Sequence, residues 1–118
     1  MNTRKIGADG EQMAADFLKK NGFEILERNV FLGKRGEIDI VAKELSSNTL
    51  VFVEVKYNRV KKGAFGSPEF RCDRRKMLQI YELVRLYMYR KKLSGIPIRI
   101  DVIAIDNEGI RHYKNCLM

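Results

Sequence analysis

Two spacings of apolar residues divide the chain. Between residues 6 and 21, Gly10, Met13, Ala14, Phe17 and Leu18 recur at helical intervals, and Asn21-Gly22 supplies a C-terminal stop. Residues 23–31 predict a first strand, whose imperfect apolar pattern and interspersed charges suit a sheet edge. Leu32-Gly33-Lys34-Arg35-Gly36 then turns the chain. Residues 36–42 and 50–56 have the apolar, β-branched character of strands buried on two faces, and the Ser/Asn-containing break between them predicts a hairpin. A polar loop with Gly63, Gly66 and Pro68 follows. Helical spacing returns from residue 69 or 73 to 92, with Met77, Ile80, Tyr81, Val84, Tyr87 and Met88 as the apolar stripe. Ser94-Gly95-Ile96-Pro97 breaks that helix, residues 98–105 predict another strand, and 110–113 a short last one. At 118 residues this is a single domain, 1–118, of the α/β class.

The central hairpin carries charges where its pattern demands core. With strict alternation, Glu37, Asp39 and Val41 share one face of the first strand, and Leu50, Phe52, Glu54 and Lys56 one face of the second. A buried carboxylate without a partner is costly or takes up a proton. A divalent cation beside Lys56 would compensate both Asp39 and Glu54. Their oxygens, the backbone carbonyl of Val55 and waters supply the oxygen shell that Mg²⁺ or Mn²⁺ takes. Lys56, one pleat beyond Glu54, is placed to orient or deprotonate an attacking water. Glu11 lines up with Gly7, Ala14 and Leu18 and borders the core-facing stripe of the first helix, either as a boundary glutamate reaching solvent or as a carboxylate pointing toward the same place. The bland reading is an ion pair of Lys56 with one carboxylate, which leaves the other unexplained. Asp101 reads as structural, paired with an Arg or Lys, and the single histidine, His112, as uninvolved in catalysis.

Charge adds a partner to this picture. The net charge is +8, and residues 56–92 hold twelve Lys/Arg against three acids, so the whole excess lies in that segment and the rest of the chain is slightly acidic. A concentrated basic segment favours a polyanion, most commonly nucleic acid. Lys34 and Arg35 lie near the mouth of the predicted site. Arg59, Lys61, Lys62, Arg74, Arg75 and Lys76 are candidates for the phosphate backbone, with Lys76 sharing a helix face with Ile80 and Leu83. No apolar run approaches the length of a membrane span, no secretory leader is visible, and two cysteines build neither a disulfide framework nor a zinc site. A cytoplasmic protein is the default expectation. Symmetric cutting of a junction would require a homodimer, although no exposed apolar stripe declares one.

Asp39 followed by Glu54-Val55-Lys56 resembles the motif of the PD-(D/E)XK nuclease superfamily. More closely, the chain resembles the bacterial YraN-like family, itself similar to archaeal Holliday-junction resolvases. The matching blocks are Gly7-x-x-Gly10-Glu11 with Ala14 and Leu18, Gly22, Asn29, Gly36-Glu37-Ile38-Asp39, Phe52-Val53-Glu54-Val55-Lys56, Phe65-Gly66-Ser67-Pro68, Lys76 and Arg99-x-Asp101-Val102. The chain departs from the family pattern at Tyr57-Asn58-Arg59, where Thr-Arg usually follows the lysine. It departs again at Val30-Phe31, where Trp or Tyr followed by Arg is usual. The resemblance implies a three-layer α/β/α restriction-endonuclease-like fold with a central mixed β-sheet, Asp39, Glu54 and Lys56 at a metal site, and Glu11 near it. The expected activity is a metal-dependent DNA endonuclease acting on branched or structured DNA. The alternatives are a nucleic-acid-binding module that keeps the fold without turnover, and an assembly protein whose basic helix docks an acidic partner.

Overall fold

The structure, a computed structural model, describes residues 3–58 and 74–116. Helix α1 (Thr3–Lys20) leads into β1 (Phe23–Phe31), a single 3-10 turn (Gly33–Arg35), β2 (Glu37–Glu44) and β3 (Thr49–Asn58); helix α2 (Arg74–Arg90), β4 (Ile98–Asp106) and β5 (Gly109–Tyr113) complete the order. The five strands lie in sequence order, β1-β2-β3-β4-β5. All neighbours are antiparallel except β3 and β4, which run parallel. That exception follows from the connection: only β3 and β4 are joined through a helix, which gives the chain the length to return to the same end of the sheet. The mixed sheet and the edge position of the first strand are as the sequence predicts. Helix α1 starts at Thr3 rather than at residue 6. The expected loop with Arg59, Lys61 and Lys62, and the residues proposed to start the second helix, lie outside the described residues.

Alternation along the strands builds a core on each face. Met77, Ile80, Val84 and Tyr87 of α2 pack with Val41, Phe52, Ile100 and Val102. Ala14, Ala15 and Leu18 of α1 pack with Ile40, Val51, Val53, Ile103 and Ile105. Three layers result, helix on sheet on helix. The α1 layer comes unusually close at Gly10, where a Cβ atom would meet the ring and Cβ of Tyr57 at 2.7–2.8 Å. A glycine at this point lets the helix carry the next residue, Glu11, up to the end of the sheet. The C-terminus of α1 is closed as expected: Asn21 Nδ2 donates to the carbonyl of Phe17 at 2.7 Å, and Gly22 takes φ +87°.

Strict alternation fails near Asp39, as well as at the register shift between Ile25 and Glu27 of β1. Ile38 and Val41 pack in the same cluster on the α2 face, whereas Ile40 packs on the α1 face. The side chains of β2 therefore change sides around Asp39. Across from this point, between the pairs Arg28–Ile40 and Val30–Ile38, Asn29 of β1 has φ +53°. A left-handed residue inside a strand swings the chain out of its pleat, and Asn is among the few non-glycine residues that accept it.

Around β4, away from this point, buried charges are paired. Asp101, without exposed surface, accepts from Arg99 Nε (2.8 Å) and Nη2 (3.0 Å) and from the Asn115 backbone N–H (3.0 Å), and its Oδ2 lies 2.8 Å from His112 Nε2. Arg99 also donates to Glu44 at 2.9 Å, and Lys114 Nζ reaches the same carboxylate at 3.0 Å. These partners hold Glu44 down at about 2 and Asp101 below its ordinary value, against the opposing effect of burial. Two stability predictions follow from this packing. Gly10→Ala lowers the unfolding free energy by about 1–3 kcal/mol through overpacking against Tyr57, as read from urea denaturation. Because Glu44 and Asp101 have depressed native values, their stabilisation is complete above the unfolded carboxylate range and is lost as pH falls toward 2. Arg99→Leu, which strands a buried charge, costs about 3–5 kcal/mol at pH 7, and its Tm falls less than that of the parent chain between pH 5 and pH 2.

Candidate functional site

The β2–β3 ladder ends at the pair Ile40–Val53. Beyond it the Val55 N–H is satisfied by a side chain, donating to Asp39 Oδ2 at 2.8 Å. Asp39 is thereby fixed at the open end of the hairpin, where its carboxyl also makes hydrogen-bond contact with that of Glu54. The two acids predicted to converge therefore meet. Burial first, and the neighbouring charge of Glu54 second, push the Asp39 carboxyl up to about 8, while the Val55 N–H pulls the other way. At neutral pH the folded protein without a cation keeps a proton on this group.

Two further carboxylates close on the same point. Oxygens of Glu11, Glu37 and Asp39 lie within 4.8 Å of one another. Glu11 arrives from α1 and is raised above its ordinary value, mainly by burial and further by the charge of Glu37; a hydrogen bond from the Asn29 side chain and the charge of Arg28 oppose this. Asn29 thus does two things at once: its left-handed backbone re-aims the strands, and its amide holds Glu11. Neither Glu37 nor Asn29 carried a role in the sequence reading. Glu37 was legible from its two-residue spacing to Asp39, and Asn29 from being an asparagine inside a strand pattern.

Beside this cluster opens a cleft of about 630 Å³, lined by Glu37, Asp39 and Glu54 on one side and by α2 on the other, with Arg35 and Gly36 at its entrance. Lys76 is turned into the cleft, its Nζ 3.7 Å from Glu54 Oε2. Lys56 is half-buried on β3 opposite Ala104 of β4 and is not among the residues that line the cleft. Val55, whose carbonyl is the ligand named from sequence, stands at this corner and donates its N–H to Asp39. Lys34 is exposed in the 3-10 turn. Arg74 and Arg75, at the start of α2, line an adjoining hollow that shares Gln79 and Glu82 with the cleft. The structure thus brings Glu11, Asp39, Glu54, Arg35 and Lys76 to one place and leaves Lys34 outside it.

The donor set suits a hard divalent cation. Every candidate ligand is an oxygen, carboxylate or carbonyl, with neither thiolate nor imidazole, which favours Mg²⁺ or Mn²⁺ over zinc. The proton held by Asp39 makes the same point electrostatically, because the site stabilises a positive species between its acids. A carboxyl raised in the native state contributes stability that falls as pH rises from the unfolded value, near 4, to the native one, about 8. Asp39→Asn, isosteric and uncharged, therefore raises the Tm of the metal-free protein at pH 8 and above by about 5 °C or more and flattens its decline between pH 5 and 8. Calorimetry across that range checks both.

Comparison with known proteins places these residues in a family. A UPF0102 protein of Persephonella marina is 38% identical over 111 residues, covering 92% of this chain and 90% of that protein. One of Caldicellulosiruptor saccharolyticus is 43% identical over 105 residues, 89% of this chain and 85% of that one. One of Thermotoga maritima is 42% identical over 106 residues, 90% and 91% respectively. The model of the uncharacterised protein family UPF0102, the YraN family, matches residues 10–105, from the glycine that seats α1 through most of β4. The chain belongs to the UPF0102 family.

Proposed function

We propose that the protein is a metal-dependent phosphodiesterase that cuts DNA, with branched or otherwise structured DNA such as four-way junctions as its target. The observation that carries the reading is Asp39: a half-buried carboxyl pressed against Glu54, within reach of Glu11 and Glu37, at the end of a mixed sheet and beside a cleft with Arg35 and Lys76 on its walls. The resemblance of Asp39 and Glu54-Val55-Lys56 to the PD-(D/E)XK pattern supports it, as does the concentration of positive charge in residues 56–92.

In this reading Asp39, Glu54, Glu11 and the carbonyl of Val55, joined by Glu37, hold Mg²⁺ or Mn²⁺. When bound, the cation supplies positive charge against a phosphoryl oxygen and acidifies a nearby water. The chain's own residues do the rest. Asp39 releases its proton as the site fills, and the Val55 N–H keeps the carboxylate aimed. Lys56 orients the attacking water or takes its proton. Lys76 exchanges its contact with Glu54 for the phosphate, and its charge opposes the negative charge that builds in the transition state. Arg35, Lys34, Arg74, Arg75, Arg59, Lys61 and Lys62 hold the flanking backbone, which carries no sequence code.

The test is cleavage of end-labelled duplex, flap and four-way junction DNA. With Mg²⁺ or Mn²⁺ the protein cuts at least one of them, and EDTA stops it. Asp39→Asn and Glu54→Gln lower kcat by about 100-fold or more while DNA binding persists. Binding of all three without cleavage in either metal contradicts the reading and leaves a binding module. A separate measurement addresses the phosphate contacts: Arg35→Ala weakens DNA affinity equally across sequences and reduces the slope of log K against log salt by about 0.9.

A further inference from the structure

Phe31 is out of place for its chemistry. Its ring is 74% exposed at the end of β1, although aromatic side chains gain most by leaving water. The ring does not sit on a loose segment. The next residue, Leu32, is buried, and its N–H donates to the Gly36 carbonyl at 2.8 Å, which ties the turn shut. The β1–β2 register pairs Phe31 with Glu37, and directly opposed residues project to the same side with Cβ atoms about 5 Å apart. Phe31 therefore stands beside the carboxylate whose oxygen lies within 4.8 Å of those of Glu11 and Asp39. Lys34 and Arg35, both exposed, follow three and four residues later.

We propose that Phe31 is a stacking platform for one unstacked base of a DNA strand whose adjoining backbone is held by Lys34 and Arg35 beside the acid cluster, so that the preferred substrate carries an unpaired nucleotide rather than continuous duplex. The polymer in this inference rests on the DNA-cutting reading above. The ring's surroundings select the base over other occupants. Glu37 beside it repels a phosphate, so the ring meets the base and leaves the backbone to Lys34 and Arg35. A lone ring between charges offers a protein partner little apolar area, whereas every base presents a π-face. Inside a continuous duplex both faces of each base are already covered by neighbours. A flap, gap or branch point frees one.

The experiment measures binding in EDTA, where cleavage plays no part, with 2-aminopurine placed either in an unpaired flap or inside continuous duplex. The wild-type chain binds the flap more tightly and quenches its probe. Phe31→Ala weakens flap binding about 5- to 100-fold, abolishes the quenching and changes duplex affinity less than twofold, and Phe31→Trp restores the first two. As an exposed position, it leaves the Tm unchanged. Equal affinities of Phe31→Ala and wild type for the flap, or a parallel loss on flap and duplex, overturn the inference, as does a wild-type dimer in light scattering that Phe31→Ala dissociates. Failure of Mn²⁺-dependent cleavage with this binding pattern intact counts against the phosphodiesterase reading alone.

Discussion

The contact between the Asp39 and Glu54 carboxyls sets the terms for the residues around it. It forms because the β2–β3 ladder stops at Ile40–Val53 and the Asp39 side chain takes the place of a backbone acceptor for the Val55 N–H. Two partly buried acids in contact resist being charged together, and a shared divalent cation relieves that repulsion. The surrounding devices all serve that point. Gly10 brings α1 close enough for Glu11 to arrive, Asn29 bends β1 and fastens Glu11, and Lys76 of α2 supplies charge from the other face.

Two strands of the sheet, β2 and β4, treat the same residue type in opposite ways. Asp101 is wholly buried, yet it is surrounded by Arg99, His112 and the Asn115 N–H, and its carboxyl is held below the ordinary value. Asp39 has one backbone donor and three acidic neighbours, and its carboxyl is raised to about 8. A satisfied acid ties strands and terminus together. An acid kept short of positive charge, beside a cleft, is the arrangement that binding and catalysis exploit. The β2 strand joins the two settings, running from Glu37 beside the acid cluster to Glu44 in the Arg99 network.

Much of this was legible in the sequence, for identifiable reasons. The hairpin was, because β-branched runs bounded by turn residues have few alternatives, and the pairing of Asp39 with Glu54 followed from it. The inward turn of Lys76 was legible from its helical spacing to Ile80 and Leu83. The switch of sides at Asp39 was not, because period-two reading assumes a regular pleat and Asn29 breaks it with a single backbone angle. The pairing of Arg99 with both Glu44 and Asp101 joins residues 55 positions apart, and only the strand order reveals it.

The central claim is that these carboxylates share a cation. Anomalous diffraction from crystals soaked in Mn²⁺ tests it most directly. The account predicts a peak in coordination contact with Asp39 and at least one of Glu54, Glu11 and Glu37, which vanishes in Asp39→Asn crystals. A clean map at this position, with Asp39 and Glu54 still sharing a proton under saturating Mn²⁺ above pH 8, would contradict it.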